Sequence, residues 1–194
     1  MSEQDLIKKA QEGDVEAFEQ LIRDYEKRIL NYCFRMMGNL SDAEDAAQEV
    51  FVKIFRFIDS FNGQSSFSTW LYRIASNVCL DLLRKAKRQP KDTVSIYQEN
   101  DEGEEYSIAI EDTEPDPYER AQLSEAQKVL KEALNQLSDE HKQVIILRDI
   151  EGLSYEEIAE AMGTAPGTVK SRINRARQML KKLLEKDKEL FLLS

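Results

Sequence analysis

Apolar residues recur at steps of three and four along most of this chain, and this spacing constrains its fold more than any other feature. The longest regular run follows Asp14 and stops at Gly38-Asn39; its apolar members are Val15, Phe18, Ile22, Tyr25, Ile29, Tyr32 and Met36. Residues at such steps share one face of an α-helix. Only 7 glycines and 4 prolines occur in 194 residues, so long helices are favoured over tight turns. The sequence predicts an all-α protein.

Capping residues indicate where the helices begin. A serine followed three residues later by an acid is the pattern of a capping box. The pattern occurs at Ser2, Ser41 and Ser154. Asp14 and Ser138 are candidate N-caps of two further helices. We also expect a polar loop over residues 59–66, followed by a helix that starts between Ser66 and Ser68.

An acidic stretch without apolar periodicity divides the chain. It covers residues 90 to about 115, and Asp116-Pro117 follows it as a helix start, because proline suits the first helical position. A segment that buries little apolar surface acts as a linker or an interaction tail. We therefore predict two small helical domains, residues 1–90 and 116–194, joined by a flexible acidic linker over residues 91–115.

The charges are strongly segregated, although the net charge of −10 is unusual for a nucleic-acid-binding protein. Basic residues form two clusters, one at Arg84, Lys85, Lys87, Arg88 and Lys91 and the other at Lys170, Arg172, Arg175, Arg177, Lys181 and Lys182. Acidic residues concentrate between the clusters, over residues 99–116. Because salt screens charges beyond about 8 Å, the local clusters decide which surface meets a phosphate backbone.

Several classes of protein are disfavoured by what the sequence lacks. Cys33, Cys79 and the single histidine, His141, do not make a standard zinc site, and we interpret the cysteines as reduced core thiols. A carboxylate-bridged metal enzyme is an alternative reading of the acidic neighbours Glu44, Asp45 and Glu49. That chemistry uses Glu-x-x-His pairs, so we expect no catalytic residues, cofactor, metal or small-molecule substrate. The N-terminus lacks the apolar stretch of a signal peptide, and we expect a cytoplasmic protein.

Residues 153–177, LSYEEIAEAMGTAPGTVKSRINRAR, predict a helix-turn-helix. A capped short helix, a turn at Gly163 and a basic second helix follow one another there. The inward-facing positions are expected to be Ile158, Ala159, Met162, Val169 and Ile173. The DNA-facing positions are expected to be Thr168, Lys170, Ser171, Arg172, Asn174, Arg175 and Arg177. In the major groove, arginine reads guanine and asparagine reads adenine, whereas lysine and flanking arginines neutralise phosphates.

A second candidate site interleaves aromatic and polar residues between positions 61 and 88. Its members are Phe61, Asn62, Gly63, Gln64, Ser65, Trp70, Arg73, Asn77, Arg84, Lys87 and Arg88. Aromatic rings hold unstacked bases and cations follow a backbone in single-strand binding sites. The same aromatic stripe is also typical of a helix core, and Trp70 fits either interpretation. Arg73 and Asn77 lie off that stripe, so we expect them to face a ligand.

The chain resembles the extracytoplasmic-function (ECF) sigma factors of bacterial RNA polymerase. The resemblance rests on DAEDAAQEVFVKIFRFIDSF, FSTWLYRIASN and LSYEEIAEAMGTAPGTVKSRINRAR in this order, with an acidic gap before the third, and it covers nearly the whole chain. It implies that the first domain is region 2, which binds core polymerase and opens the −10 element, and that the second is region 4, which reads the −35 element. The contacts to the clamp helices of the largest subunit would come from Asp42, Glu44, Asp45, Gln48, Glu49 and Phe51.

The resemblance also implies further partners. Region 4 would bind the polymerase flap, the DNA would be promoter DNA, and an anti-sigma factor, often membrane-bound in this family, would regulate the protein. The linker would lie in the RNA channel of the polymerase or serve as a tether, and composition does not decide between these roles. An autonomous helix-turn-helix regulator explains residues 153–177 equally well, but not the aromatic and basic segment at 61–88.

Overall fold

Helices form every regular element in the described parts of the chain. The structure, a computed structural model, describes residues 1–88 and 117–187, with side-chain surroundings from residue 125 onward in the second range. The first range contains α1 (Glu3–Gln11), α2 (Val15–Met37), α3 (Leu40–Phe57), a 3₁₀ turn (Ile58–Ser60) and α4 (Phe67–Arg88). The second contains α5 (Pro117–Asn135), α6 (Asp139–Ile145), a π-helical turn (Ile146–Ile150), α7 (Tyr155–Met162) and α8 (Pro166–Leu184). The predicted all-α fold is confirmed.

Local side-chain chemistry sets most helix starts where the sequence predicts them. Ser2 and Ser154 form capping boxes with the acids three residues later. Asp14 accepts a hydrogen bond from the backbone of Ala17 at 3.0 Å, and Ser138 caps α6 in the same way. Each such cap satisfies a backbone N–H that the helix itself leaves without a partner.

The capping box predicted at Ser41 is wrong, because Asn39 caps α3 instead. The Asn39 Oδ1 accepts from the backbone N–H of Asp42 at 2.9 Å, and its Nδ2 donates to the Asp42 carboxylate at 2.8 Å. Gly38 ends α2 with a left-handed φ of 88°, which side-chain-bearing residues rarely adopt. The chain therefore enters α3 at the first residue after that glycine, and Ser41 already lies inside the helix.

Helices α1–α4 pack around one apolar core. Ile29, Met36, Val50 and Leu71 are fully buried there. Cys33 and Cys79 are buried free thiols whose sulfurs lie 3.8 Å apart, which confirms the interpretation of the cysteines as core residues. Val15, which the sequence places on the apolar face of α2, is 53% exposed because it begins the helix beyond the edge of the bundle.

Helices α5–α8 contribute a second apolar group centred on Ile146, Ile158, Val169 and Ile173, all fully buried. Helix α6 does not continue as a regular α-helix to Gly152. It widens into the π-helical turn, in which Glu151 N–H bonds to Ile146 O at 3.0 Å. Gly152 follows with a φ of 75°, so the chain reverses there before α7.

The predicted linker, residues 91–115, lies outside the described residues, as do the adjoining domain boundaries and residues 188–194. In the two described ranges, no helix combines the length and apolar character needed to cross a membrane.

Candidate nucleic-acid interface

The predicted helix-turn-helix is formed by α7 and α8. The Ser154 and Glu157 capping box starts α7, and Gly163, in a left-handed conformation, ends it. Hydrogen bonding to the capping serine, first through its backbone, lowers the pKa of the Glu157 carboxyl. Ile158 of α7 and Val169 of α8 are both fully buried. This packing fixes the angle between the two helices and presents the other side of α8 to solvent.

The exposed side of α8 contains the predicted DNA-facing residues in two groups. Lys170, Ser171, Asn174 and Arg175 are exposed, and Thr168 is half-buried with its carbonyl accepting from the Ser171 hydroxyl at 2.9 Å. Among the residues that the structure describes, no carboxylate pairs with Lys170 or Arg175. These side chains are therefore available to a ligand without the loss of an existing contact.

The other two arginines of α8 are engaged in ion pairs within the same half of the protein. Arg172 lies 3.1 Å from the Glu140 carboxylate. Arg177 binds Asp149 with both ends of its guanidinium, one contact being Nε to Oδ2 at 3.2 Å, and this bonding raises the pKa of Arg177. Sequence reasoning places both with the other basic residues but does not reveal that acids of α6 and the π-helical turn already hold them.

The second predicted site contains a packed aromatic cluster. The ring centroids of Phe61, Phe67 and Trp70 lie 5.4–5.7 Å apart, and Trp70 stacks on Phe67 with an interplanar angle of 26°. Trp70 is half-buried in this cluster, so much of its ring packs in the core and only part of it reaches solvent. Arg73 and Asn77 are both exposed, one turn apart on α4.

The loop between the 3₁₀ turn and α4 borders a cleft. Asn62, Gly63 and Gln64 are exposed, Ser65 is half-buried, and the Gln64 N–H donates to the Asn62 side chain at 3.1 Å. The cleft has a volume of about 380 Å³ and lies between this loop and α1. The contribution of α1 is not predicted by sequence reasoning, because no local pattern indicates which distant helix the loop will face.

The basic end of α4 is exposed and partly paired. Arg84 lies 3.2 Å from Asp81, Lys87 lies 2.6 Å from Asp139, and Arg88 is exposed. Surface pairs of this kind contribute roughly 0–1 kcal/mol, so a polyanion can displace them.

The predicted polymerase-binding residues of α3 share an exposed surface. The polar members are all exposed: Asp42, Glu44, Asp45, Gln48 and Glu49. Phe51 is half-buried. Two apolar residues missed by the sequence analysis join them, Val52 at 45% and Phe55 at 54% exposure. The sequence does contain a sign of their exposure: the apolar face of α3 is too wide to be covered by one neighbouring helix.

Comparison with known proteins finds relatives for both described halves of the chain. Residues 21–89 match the family Sigma-70 region 2, and residues 127–180 match Sigma-70, region 4. The chain is 39% identical to the RNA polymerase sigma-H factor of Pseudomonas aeruginosa over 94% of each chain. It is 38% identical to the ECF RNA polymerase sigma factor SigW of Bacillus subtilis, over 92% of this chain and 94% of that one.

The chain belongs to the ECF RNA polymerase sigma factors. It is accordingly a transcription initiation factor and not an enzyme, and the alternative of an autonomous regulator is set aside. Two solved structures share the fold. One is RpoE from Bartonella quintana in complex with the anti-sigma factor NepR (TM-score 0.65, 30% identity, 87% of this chain and 96% of that one). The other is CnrH with the cytosolic domain of CnrY (TM-score 0.65, 27% identity, 94% and 96%).

Region 2 and region 4 of this ECF sigma factor contact each other through α4 and α7. The Thr69 hydroxyl donates to a Glu157 carboxylate oxygen at 3.2 Å, and the Ser66 hydroxyl lies 3.5 Å from the same oxygen. Ser66 ends the loop beside the cleft, and Glu157 caps the first helix of the helix-turn-helix. The two candidate DNA sites are therefore in direct contact.

Four polar side chains in the described residues are buried, and three of them, Thr69, Lys142 and Gln143, lie at this contact. The fourth, Ser76, hydrogen-bonds to Tyr32 within region 2. Lys142 Nζ donates to Met36 O of region 2 at 3.2 Å and to Asn135 Oδ1 at 2.8 Å, and burial lowers the pKa of this lysine. Gln143 lies beside Tyr32, with its amide lacking a hydrogen-bond partner in the structure. The buried apolar residues of the two regions also form one continuous cluster. Buried amides and amines regain water when surfaces separate, so the polar groups at this contact favour reversible association.

Proposed function

We propose that residues 1–90 bind core polymerase and open the −10 element, and that residues 116–194 read the −35 element. The observation that carries this proposal is the helix-turn-helix itself, whose second helix exposes Lys170, Asn174 and Arg175 on the side away from its buried core. An α-helix with this composition fits the major groove. A sigma factor that reads two elements needs a second DNA site, and the aromatic segment of region 2 supplies it.

Within region 4, the exposed residues divide between base and phosphate contacts. Asn174 and Arg175 have side chains that form paired hydrogen bonds with adenine and guanine. Lys170 and Arg172 neutralise phosphates, and the remaining contacts are assigned to Thr168, Ser171 and Arg177. A phosphate must displace or share the Glu140 and Asp149 carboxylates to reach Arg172 and Arg177, at a cost of roughly 0–1 kcal/mol for each such surface pair.

Within region 2, the loop and α4 are proposed to hold the separated −10 strand. Polar groups of the loop, Asn62 to Ser65, face a base edge, and the cluster around Phe61 and Trp70 gives an apolar surface for its ring. Arg73 and Asn77 extend the path along α4, and Arg84, Lys87 and Arg88 follow the backbone beyond it.

The surface of α3 is proposed to bind the clamp helices. Its acidic residues, with Phe51, Val52 and Phe55 beside them, combine charge with exposed apolar area. That combination is typical of a protein interface with a hydrophobic centre and a charged rim.

Promoter binding requires region 2 and region 4 to separate. The −10 and −35 elements are about 25 base pairs apart, which is roughly 85 Å of duplex at 3.4 Å per base pair. Ser66 and Thr69 of region 2 contact Glu157 of region 4 within 3.5 Å, so the two DNA sites in this arrangement cannot reach both elements. The proposed active form is therefore one in which this contact has opened on the polymerase.

An anti-sigma factor is proposed as the regulatory partner of this chain in the cytoplasm. The related RpoE was solved with the anti-sigma factor NepR, and CnrH was solved with the cytosolic domain of CnrY. A membrane-bound anti-sigma factor would hold this factor at the membrane until it is released.

Transcription in vitro tests the proposed function. The full chain with core polymerase is expected to initiate at a small promoter set from a genomic library, with related sequences near −10 and −35 of the mapped start sites. The chain alone is expected to shift those promoters in a gel far less than the holoenzyme does. Strong binding by the chain alone, with no polymerase-dependent start sites, would contradict the assignment.

A further inference from the structure

The cleft beside the −10 loop has two walls from distant parts of the chain. One wall is the loop, from Phe61 to Phe67. The other is the face of α1 that carries Glu3, Gln4, Ile7, Lys8 and Gln11. Its volume of about 380 Å³ is near the lower end of the range for ligand pockets, which is about 300–1,000 Å³. A space of that size has room for one base.

Gln11 of α1 fixes the start of the loop. Its Nε2 donates to Ile58 O at 2.9 Å and to Phe61 O at 2.8 Å, so both hydrogens of the amide are used. These two carbonyls bracket the 3₁₀ turn from which the loop emerges. The Gln11 side chain therefore ties α1 to the backbone at both ends of the 3₁₀ turn and helps to fix the separation of the two walls.

Lys8 is exposed at the rim of the cleft. The nearby Glu3 carboxylate accepts from the Tyr25 hydroxyl at 2.5 Å, and none of the ion pairs among the described residues includes Lys8. The neighbouring Lys9 is equally exposed but does not line the cleft. The cleft therefore has one cation at its edge, the Tyr25-bound carboxylate of Glu3 and the amides of Gln4 and Asn62 in its lining, and apolar contacts from Ile7 and Phe61.

We propose that α1 is the second wall of the pocket that receives an unstacked −10 nucleotide, with Lys8 as a phosphate contact and Gln11 as a positioning residue for the loop. This proposal rests on the proposed function, in which region 2 captures a base of the −10 strand. Gln4 and Asn62 each offer both a donor and an acceptor to the exposed edge of a base, and Ile7 and Phe61 cover its face. Specificity at −10 then depends on the N-terminal helix as well as on the loop and α4.

The phosphate contact is tested with holoenzyme and a single-stranded oligonucleotide that carries the mapped −10 sequence. Lys8→Gln is expected to lower affinity several-fold and to reduce the slope of log affinity against log salt by about 0.7, the value for one phosphate of a single strand. Lys9→Gln removes the same charge one residue away and is expected to leave the slope unchanged. Equal slopes for the two variants would overturn the role of Lys8.

The positioning role is tested with Gln11→Met, which keeps the length of the side chain but removes both donors, and with Gln11→Asn, which keeps the donors but is too short. Both are expected to slow promoter opening and to relax preference at one −10 position. A fluorescent base analogue there reports whether the base leaves the stack. Core binding and −35 preference are expected to stay as in the wild type. If promoter opening, core binding and −35 preference all fall together, and the melting temperature falls with them, then Gln11 only stabilises the fold. That result would overturn its positioning role.

The wild-type holoenzyme separates failure of this inference from failure of the proposed function. If the analogue stays stacked in the wild-type complex, region 2 does not capture that base and the proposed function fails. If the base is captured while the Lys8 and Gln11 variants behave like the wild type, only the participation of α1 is wrong.

Discussion

The Tyr72 hydroxyl of region 2 donates a hydrogen bond to the Glu151 carboxylate of region 4. Burial, with the adjacent Glu151 charge, raises the pKa of Tyr72, so the phenol keeps its proton and remains a donor at physiological pH. Arg35 and Arg28 lie at 3.8 and 3.9 Å from the same carboxylate, beyond hydrogen-bond distance. The tyrosine is therefore the close partner of Glu151 across the contact between the two regions.

Tyr72→Phe is expected to loosen that contact without unfolding either region. A hydrogen bond to a charged group contributes about 1.5–3 kcal/mol, and the phenylalanine ring preserves the packing of Tyr72 against Tyr32. Energy transfer between dyes on α1 and α8 should report a larger open population, while helical content stays constant. Tyr155→Phe is the matched control, because no hydrogen bond of the described structure uses that hydroxyl; an equal change in both variants would contradict the expectation.

Region 2 and region 4 are also expected to separate when the factor binds core polymerase and promoter DNA. The same pair of dyes should move apart when the wild-type chain joins core polymerase and a promoter with both elements, because roughly 85 Å of duplex lies between them. A promoter fragment with only the −10 element provides the comparison for the DNA-dependent part of the change. Undiminished energy transfer in an initiation-competent holoenzyme would refute the opening.

Arg175→Ala should change the base preference of the −35 contact, whereas Lys170→Ala should change its overall affinity. A bidentate base contact is worth about 1–3 kcal/mol of discrimination, so loss of Arg175 should relax preference at one or two −35 positions. Loss of Lys170 should lower affinity for all sequences and reduce the salt slope by about one unit. Selection of −35 sequences by each holoenzyme measures this, and uniform losses in both variants would invalidate the division into base and phosphate contacts.

Asp45→Arg is expected to weaken binding to core polymerase while leaving the helical spectrum intact. Asp45 is exposed and belongs to no ion pair in the described ranges, unlike Glu49, which lies 2.8 Å from Lys53. Reversal at Asp45 therefore tests the surface without breaking a helix-stabilising pair. Glu26→Arg, at an exposed position of α2, makes the same charge change and serves as the control. A titration against core in which Asp45→Arg binds as tightly as Glu26→Arg would remove α3 from the interface.

Acid is expected to weaken α7 through Glu157. Hydrogen bonding to Ser154 lowers the pKa of this carboxyl below its ordinary value of 4.5 in the folded protein. A lowered folded pKa means that the stabilisation is present above pH 4.5 and is lost as pH falls from there through the folded value. Glu157→Gln removes the titrating group, so its free energy of unfolding in urea should fall less steeply in this pH window. Identical slopes for variant and wild type would contradict the expectation.

Much of the helical architecture was predictable from the sequence because its causes are local. The apolar period of α2, the capping boxes at Ser2 and Ser154 and the stop at Gly163 involve residues within one or two turns of each other. The same holds for the exposed face of α8, since a helix that buries Val169 and Ile173 must expose Lys170, Asn174 and Arg175.

Two features of α3, its N-cap and the exposure of Phe55, were not predictable from the sequence pattern. Asn39 and Ser41 are both good caps, and the left-handed glycine before Asn39 selects the earlier one. Phe55 has the sequence spacing of a core residue on α3, yet it is more than half exposed, with its ring packed edge-to-face with Phe18. An apolar spacing predicts which face is hydrophobic, but it does not show how much of that face another helix covers.

The sequence by itself determined the helices, their caps and the residue types on each face, because these depend on neighbours three or four positions away. Only the tertiary structure decided that Gln11 holds carbonyls 47 and 50 residues further along the chain, and that Glu151 and Lys142 meet α2 and α4 of the other region. Such contacts depend on how complete surfaces pack and exclude water, and no short sequence pattern records which surfaces will meet.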